Sequence, residues 1–301
     1  MSYEFIKVKI VADSISNFGT RLTTFEIEYP RYIHAEIMTH RVFSRNAQSS
    51  RAVPVEKQLE RVRKSPVVPI EWGANKAGMS SSSVLDSVKQ GLAEATWKHG
   101  AQAACWVSEF LAKVGLHKQF ANRGTEPYST IKVVITATEW DNFFWLRYDV
   151  DAAQPEIVEL ARLMKEAMDC NSPEKLLYDE WHVPYVNTAR IAGNRVYLDE
   201  NNEEISKEDA LKISASCCAQ VSYRKLDSTK EKAIDIYERL FSGPKPHLSP
   251  TEHQATPVES FDSCSTGDNW PYGVTHVDKT GNPWSANFKD WIQYRQVLDL
   301  N

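Results

Sequence analysis

The chain has 301 residues, of which 42% are hydrophobic and 25% are charged, and its formal net charge at pH 7 is −5. This composition is typical of an ordinary globular protein, and the acidic balance argues against a protein dedicated to binding nucleic-acid polymers. Five scattered cysteines without metal-type spacing, a start without a signal-peptide pattern and no membrane-spanning run indicate a reduced, cytoplasmic protein with neither a metal site nor a membrane partner.

The first predicted elements are two half-buried strands and a short helix. Residues 6–10 and 25–29 alternate apolar with charged side chains, which is the period of a strand with one buried face. Pro30 then opens a helix that ends near Met38, because proline is favoured in the first helical turn. This order of elements delivers a polar loop directly after the helix.

The middle of the chain is predicted to be mainly helical. Residues 64–83 are rich in Pro, Gly, Asn and Ser, and they predict a mobile flap or a long loop. The apolar periodicity that follows predicts a helix over 84–115 and a strand over 131–138. Pro155 opens a second amphipathic helix that continues to Met168.

The last third combines a hairpin, a capped helix and an irregular tail. Gly193-Asn194 is the turn signal of the hairpin, and Ser228 with Glu231 forms a capping box for the helix. Residues 260–284 predict irregular structure, and 287–298 predict a short closing helix. The tryptophans of this tail are expected to pack against the core or a neighbouring subunit, with stacking on a folate as the alternative.

The polar stretch from Thr39 to Arg51 concentrates groups that bind anions. Its thirteen residues hold one histidine and three arginines among hydroxyl and carboxamide side chains. Arginine forks match phosphate oxygens in pairs, and hydroxyls complete such a site. A solvated basic turn is the alternative. The chain has no nucleophile elbow, which gives nucleophilic catalysis weak support. Since it also has no glycine-rich phosphate loop, phosphate binding falls to the arginines.

Two further polar clusters stand out downstream. The first runs from Asn142 to Arg147 among aromatic residues, and an arginine there is costly to bury unpaired, so its partner is a ligand or a carboxylate such as Asp149 or Asp151. The second, over 246–253, holds two histidines without metal spacing.

These blocks together resemble the flavin-dependent thymidylate synthases. His40-Arg41, followed after seven residues by Ser49, resembles the signature R-H-R-x7-S. Residues 142–157 resemble the second block, N-F-x-x-L-R followed by A-Q-x-E-I. The segments with which family members open are similar to 219–223 and 247–253, near the other end of this chain. A circular permutation accounts for this order.

The resemblance implies one domain over residues 1–301 with a mixed α/β fold of the α+β type. A central, mostly antiparallel sheet with long helices is expected, in a homotetramer with shared active sites. Within it, 20–168 is the core with both signature blocks, 169–217 a connecting insertion, 218–257 the permuted segment and 258–301 an extension.

The resemblance also implies an enzyme that transfers a methylene unit from methylenetetrahydrofolate to C5 of dUMP and reduces it to the methyl group of dTMP, with FAD and NADPH and without a cysteine nucleophile. Arg147 is the implied catalytic residue, because a guanidinium beside a ring oxygen stabilises developing negative charge. The expected substrate-binding residues are Glu36, Ser49, Ser50, Arg51, Arg123 and Arg147. The expected cofactor-binding residues are His40, Arg41, Ser44, Asn46, Asn142, Ser222 and His253.

Four positions depart from the family pattern. Thr39 stands where the family has its first signature arginine, and Ala47 where it has an acidic residue in the loop. Glu36 replaces the usual glutamine, and residues 136–138 replace the Asn-x-Arg flavin contact. A carboxylate at position 36 either pairs with a neighbouring arginine or prefers the amino group of cytosine. A flavin-dependent dUMP or dCMP hydroxymethylase and a non-catalytic nucleotide-binding protein are therefore the alternatives.

Overall fold

The structure of the protein is a computed structural model, and it describes residues 3–78, 81, 83–222, 226–261 and 269–298. Its centre is a five-stranded sheet in the order β3-β4-β2-β1-β5, antiparallel except for the short parallel pair β1–β5. The predicted strands are confirmed, and the first two extend further than the alternation indicated. The strands are β1 (Lys7–Ile15), β2 (Arg21–Pro30), β3 (Ser44–Ala47), β4 (Thr130–Ala137) and β5 (Glu174–Lys175).

One face of this sheet is apolar and is covered by helices. Alternate residues of β2 and β4, such as Phe25 and Ile135, form a single buried cluster with Ile157 and Leu160 of the predicted helix after Pro155. The covering helices are α1 (His34–Met38), α5 (Asp141–Arg147) and α6 (Pro155–Cys170). A 3-10 turn, Arg31–Ile33, precedes α1, so the short helix predicted after Pro30 is confirmed.

A second helical layer consists of α2 (Val55–Lys64), α3 (Ser87–Lys113) and α4 (Lys118–Ala121). The long helix α3 begins where the Asp86 side chain accepts the Lys89 backbone N–H, three residues inside the predicted start. Its apolar residues Val88 and Leu92 are 79% and 69% exposed, so this face is uncovered in the protomer. Before α3, the described part of residues 65–86 has no helix or strand beyond one isolated bridge.

The other face of the sheet carries polar side chains and is covered by the C-terminal half of the chain. The Tyr185 hydroxyl donates to Glu26 of β2 at 2.9 Å, and Val134 of β4 packs against Cys218 and Val221. The covering elements are the three-stranded sheet β6 (Asn187–Ile191), β7 (Asn194–Leu198) and β8 (Glu204–Ile205), and the helices α7 (Lys207–Ala219) and α8 (Lys230–Phe241).

Two local predictions in this half need correction. The hairpin turn is centred on Ala192 and Gly193, which have φ angles of 50° and 87°, and Asn194 already pairs with Ile191. The turn therefore lies one residue before the predicted Gly193-Asn194. Helix α8 is preceded by Thr229 as its N-cap, without a side-chain hydrogen bond, so the predicted capping box does not form.

The tail is built from short strands, and the helix predicted over 287–298 is wrong except for a 3-10 turn, Tyr294–Val297. Asp290 has a φ angle of 61°, which interrupts a helix, and the following strand pairs with β9. Trp291 is fully buried with Leu22 and Phe288, which confirms the packing interpretation for this tryptophan. These strands are β9 (Ala255–Pro257), β10 (His276–Val277), β11 (Pro283–Ser285), β12 (Phe288–Lys289) and β13 (Trp291–Gln293).

Candidate active site

Arg147 is held by three residues from α1 and the loop after it, and these four residues form the Arg147 cluster. The guanidinium donates from Nη1 to Glu36 Oε2 at 3.1 Å, from Nη2 to Glu36 O at 3.3 Å and to Thr39 Oγ1 at 3.0 Å, and from Nε to His40 Nε2 at 3.1 Å. Four hydrogen bonds from its own chain thus fix the plane of the fork.

The partner of Arg147 is a carboxylate, as one sequence interpretation held, but not either of the nearby aspartates. Asp149 instead accepts the backbone N–H groups of Asp151 and Ala152, which closes the turn after α5. Glu36 reaches the guanidinium because α1 ends beside the last turn of α5. The Glu36–Arg147 ion pair keeps 30% and 18% of the two side chains exposed, so a ligand has access to it.

His40 is the neutral member of the Arg147 cluster. Burial, followed by the nearby charges of Arg147 and Arg45, lowers its pKa to about 4. Since Nε2 accepts the Arg147 N–H, the ring proton lies on Nδ1. The ring stacks on Phe43 at 5.5 Å and meets the edge of Phe143 at 5.0 Å, which fixes its orientation. His40 therefore presents a neutral imidazole against an aromatic wall.

Glu36 is a carboxylate under competing influences. Burial raises its pKa, the attraction of Arg147 opposes this, and the charge of Glu156 adds to the increase. Thr39 links the Arg147 guanidinium to the backbone of α1, since its hydroxyl donates to the Glu36 carbonyl oxygen at 2.7 Å and accepts from Arg147. An arginine at position 39 would repel Arg147, so threonine at 39 and glutamate at 36 fit together.

The predicted phosphate-binding residues lie at the opposite end of β3. Asn122, a fully buried residue, donates to the carbonyl oxygens of Ser50 at 2.8 Å and Val53 at 2.9 Å. These bonds hold the loop after β3 against the segment that carries Arg123, and they bring Arg51 and Arg123 into one region. Sequence reasoning missed Asn122, because no motif marks it beyond its place before Arg123.

The two arginines in this region differ in whether they form an ion pair. Arg123 donates to Glu126 at 3.0 and 3.2 Å, while Arg51 is exposed and its guanidinium forms no ion pair within the described part of the chain. Ser50 is 5% exposed, and the Ser49 hydroxyl accepts the Arg51 backbone N–H at 3.3 Å. An exposed guanidinium beside hydroxyls suits an anionic group.

The β3 side chains predicted to contact cofactor are already bonded within the protomer. Ser44 Oγ accepts from Gln293 Nε2 at 3.1 Å, and Asn46 Nδ2 donates to Cys218 O at 3.2 Å. His253 is fully buried, and its Nδ1 lies 2.8 Å from Thr136 Oγ1. The side chain of Ser222 and all of Tyr223 lie outside the described residues.

The donor set around the Arg147 cluster fits a flavin. Arg41 and Asn142 are both exposed, and they are chain neighbours of His40 and Phe143, whose rings lie 5.0 Å apart. A guanidinium suits a pyrophosphate, and a carboxamide and a neutral imidazole suit the polar edge of a planar heterocycle. Arg41 and Asn142 are therefore accessible to such a group, whereas His40 is buried and its Nε2 is already bonded to Arg147.

A cleft of about 840 Å³ opens beside Gln48 of the polar stretch. None of the predicted site residues whose side chains the structure describes lines this cleft. Cationic side chains outnumber the two acidic ones, Glu4 and Glu28. Its cationic residues are Lys7, Arg61, Lys64, Lys98 and Lys132. Sequence reasoning did not predict this cleft because these cations come from four separate elements.

Within the ranges that the structure describes, no group of three or more His, Cys, Asp or Glu side chains is arranged to hold a metal ion. Likewise, no helix among these residues has the length and apolar character needed to cross a membrane. Burial raises the pKa of the thiols of Cys105, Cys217 and Cys218, so these three cysteines are poor nucleophiles. Cys264 lies outside the described residues.

Comparison with known proteins identifies the family of this chain. The family model described as Thymidylate synthase complementing protein matches residues 14–174, which is more than half of the chain. Two similar solved structures are of the UMP/dUMP methylase PolB from Streptomyces cacaoi. The one bound with 5-Br UMP is 16% identical with a TM-score of 0.44, covering 54% of this chain and 88% of that chain. The one bound with 5-Br dUMP is 15% identical with a TM-score of 0.41, covering 55% and 88%. No curated protein matches the chain.

Proposed function

Because this chain belongs to the thymidylate synthase complementing protein family, and is therefore a pyrimidine-nucleotide C5-modifying enzyme, we propose that it converts dUMP to dTMP with FAD, NADPH and methylenetetrahydrofolate. The observation that carries this proposal is the layout of the polar stretch around β3. It has the Arg147 cluster at one end and the loop with Arg51 at the other.

In this proposal the two ends of the stretch, contributed by neighbouring subunits, bind different parts of one nucleotide. Ser49, Ser50, Arg51 and Arg123 hold the phosphate, since hydroxyls and guanidiniums match its oxygens. Arg147 lies beside the pyrimidine ring and stabilises negative charge that develops on a ring oxygen when C5 becomes nucleophilic. No thiol adds to the ring.

FAD, when bound, supplies the redox chemistry for the transfer, with NADPH as the reductant. We assign its contacts first to Arg41 and Asn142, which are exposed, and to His40, whose ring lies beside them against Phe43 and Phe143. Ser44, Asn46, Ser222 and His253 remain cofactor candidates, although the first two already have partners in the protomer.

The proposed assembly is a homotetramer with shared active sites. A single protomer sets the Arg147 cluster and the phosphate-binding loop at opposite ends of β3, so a neighbouring subunit would complete each site. Support comes from the uncovered apolar face of α3, where Leu92 and Trp106 are 69% and 67% exposed. A large exposed apolar face on a globular protein favours association. We also propose that residues 218–257 are the permuted opening segment, followed by an extension over 258–301.

The Glu36–Arg147 ion pair favours a second candidate function. A carboxylate beside a guanidinium offers one acceptor next to donors, and this pattern suits the amino group and ring oxygen of cytosine. A dCMP or dUMP hydroxymethylase on the same scaffold is therefore the main alternative. A nucleotide-binding protein without catalysis is the third candidate, and it predicts dUMP binding without flavin-linked NADPH oxidation.

The test is an absorption spectrum of the purified protein during titration with FAD, followed by NADPH oxidation with dUMP or dCMP and methylenetetrahydrofolate. The proposal expects a bound flavin spectrum and substrate-dependent oxidation. Arg147→Lys should lower this oxidation at least tenfold, because lysine keeps the charge but loses the fork. Arg162→Lys, on the outer side of α6, is the matched control. A protein that takes up no FAD contradicts the proposal.

A further inference from the structure

A continuous chain of five buried side chains crosses the polar face of the central sheet. Ser14 Oγ lies 2.9 Å from His182 Nδ1, and His182 Nε2 lies 2.8 Å from Thr24 Oγ1. Thr24 Oγ1 lies 2.7 Å from Thr136 Oγ1, which in turn lies 2.8 Å from His253 Nδ1. All five residues are at most 3% exposed. Three hydrogen bonds thus join two imidazoles that lie outside the Arg147 cluster, and a fourth joins His182 to Ser14.

The geometry of this chain follows from the sheet. Thr24 of β2 and Thr136 of β4 are direct partners in the antiparallel register, so their side chains stand side by side on one face. His182 and His253 cover this face from the segments that precede β6 and β9. The far end of the chain is open, because the buried Nε2 atom of His253 forms no hydrogen bond with any residue that the structure describes.

Both imidazoles are neutral at physiological pH. Burial, followed by Arg195 and His253, lowers the pKa of His182 to about 3, and burial lowers the pKa of His253 to about 3. Each ring therefore carries one proton, on either Nδ1 or Nε2. A neutral imidazole donates from one nitrogen and accepts at the other.

Five protons are available for the four hydrogen bonds, so one proton is always spare; in two states every bond is satisfied and the spare proton lies at an end of the chain, on His253 Nε2 or on Ser14 Oγ. In the first, the donors run from Ser14 towards His253, and both rings carry their proton on Nε2. In the second, the donors run from His253 towards Ser14, and both rings carry it on Nδ1. A mixed state leaves either the 2.7 Å contact between the threonine oxygens without a proton or one threonine hydroxyl without an acceptor.

We propose that Ser14, His182, Thr24, Thr136 and His253 form one hydrogen-bond relay that locks the two imidazoles into the same tautomer. The relay thereby sets whether His253 Nε2 presents a proton or a lone pair. Thr24, Thr136 and His182 act as positioning residues. The ligand at Nε2 would be the polar edge of the flavin, an assignment that rests on the proposed function. Because Nε2 is enclosed in this protomer, such a contact requires the covering side chains to move.

The test is magic-angle-spinning NMR of the full chain with ¹⁵N-labelled histidine, because imidazole nitrogen shifts distinguish the two tautomers. The His182 and His253 signals are assigned by their loss in His182→Asn and His253→Asn. The relay predicts that both rings show the same tautomer in the protein without ligand. Opposite tautomers would overturn it. The two variants serve only to assign the signals, and the tautomers are determined in the unsubstituted chain.

Variants then test the coupling between the rings. Thr136→Val removes one hydroxyl and should change the signals of His182, two hydrogen bonds away, whereas Thr136→Ser should restore them. The matched control is Thr23→Val, since Thr23 is equally buried on β2 but donates to Asp13 outside the relay. Unchanged His182 signals in Thr136→Val would overturn the proposal.

Addition of FAD separates the relay from the proposed function. A shift of the His253 Nε2 signal supports the flavin contact. If the two rings share a tautomer but FAD shifts neither signal, the relay stands and the flavin assignment of His253 fails.

Discussion

Glu36→Gln is the substitution that most sharply tests how the Arg147 cluster selects a nucleotide. Glutamine keeps the size of the side chain but replaces the carboxylate that bonds Arg147 at 3.1 Å with a neutral amide. The neutral amide holds Arg147 less strongly than the carboxylate does, so Arg147 donates more readily to an oxygen of uracil. At the same time, the amino group of cytosine loses its charged acceptor.

The expected change in binding free energy follows from the partial exposure of the Glu36–Arg147 ion pair. A hydrogen bond to a charged group contributes about 1.5–3 kcal/mol, and an exposed ion pair about 0–1 kcal/mol. With the two side chains 30% and 18% exposed, an intermediate value applies. A change of about 1–2 kcal/mol corresponds to roughly 5- to 30-fold in an equilibrium constant.

The assay is calorimetric or fluorescence titration of wild type and Glu36→Gln with dUMP and dCMP. The ratio of the dUMP to the dCMP dissociation constant should fall by about 5- to 30-fold in the variant. Asp141→Asn is the control, because it also removes one carboxylate, from the first turn of α5, six residues before Arg147 on the same helix. If Glu36→Gln changes both dissociation constants equally, the carboxylate does not read the base, and the reasoning is refuted.

Three further predictions concern stability and assembly. Asn122→Ala should lower the free energy of unfolding by about 2–4 kcal/mol, measured in urea, because two hydrogen bonds to buried carbonyl groups are lost; a loss below about 0.5 kcal/mol would mean that the loop is held by other contacts. His40, His182 and His253 are neutral when folded, with pKa values of about 4, 3 and 3, but bind protons below about pH 6.5 when unfolded. Their contribution to stability is present above pH 6.5 and is lost as the pH falls through the folded pKa values, with a slope of up to about 4 kcal/mol per pH unit near pH 5. Denaturation curves that are independent of pH between 6.5 and 4.5 would contradict this. Finally, Leu92→Lys should reduce the mass observed in sedimentation, since it places a charge on the exposed apolar face of α3; an unchanged mass would remove α3 from the interface.

The sheet and its helical cover follow from the sequence because their signals are periodic and local. Alternation around Phe25 and the apolar stripe after Pro155 each predict one buried face, and both faces meet in one core. The closing helix fails for a different reason. Asp290 in the left-handed region and the pairing of β13 with β9 depend on contacts distant in sequence, which local periodicity does not contain.

The candidate site shows the same division. Motif spacing identifies Arg147 and the polar stretch, but it does not show that Glu36 and Thr39 both bond to Arg147. It also misses Asn122, whose role depends on carbonyl groups about seventy residues earlier in the chain. Spacing thus indicates which residue types are present, while hydrogen-bond partners depend on how the chain folds.

The most direct test of the central claim is the mass of the nucleotide formed from dUMP in the presence of FAD, NADPH and methylenetetrahydrofolate. The proposed reaction gives a product heavier than dUMP by one CH2 unit, formed only when FAD is present. A gain of one CH2O unit would instead identify the hydroxymethylase, and an unchanged nucleotide with both dUMP and dCMP would contradict the proposed chemistry.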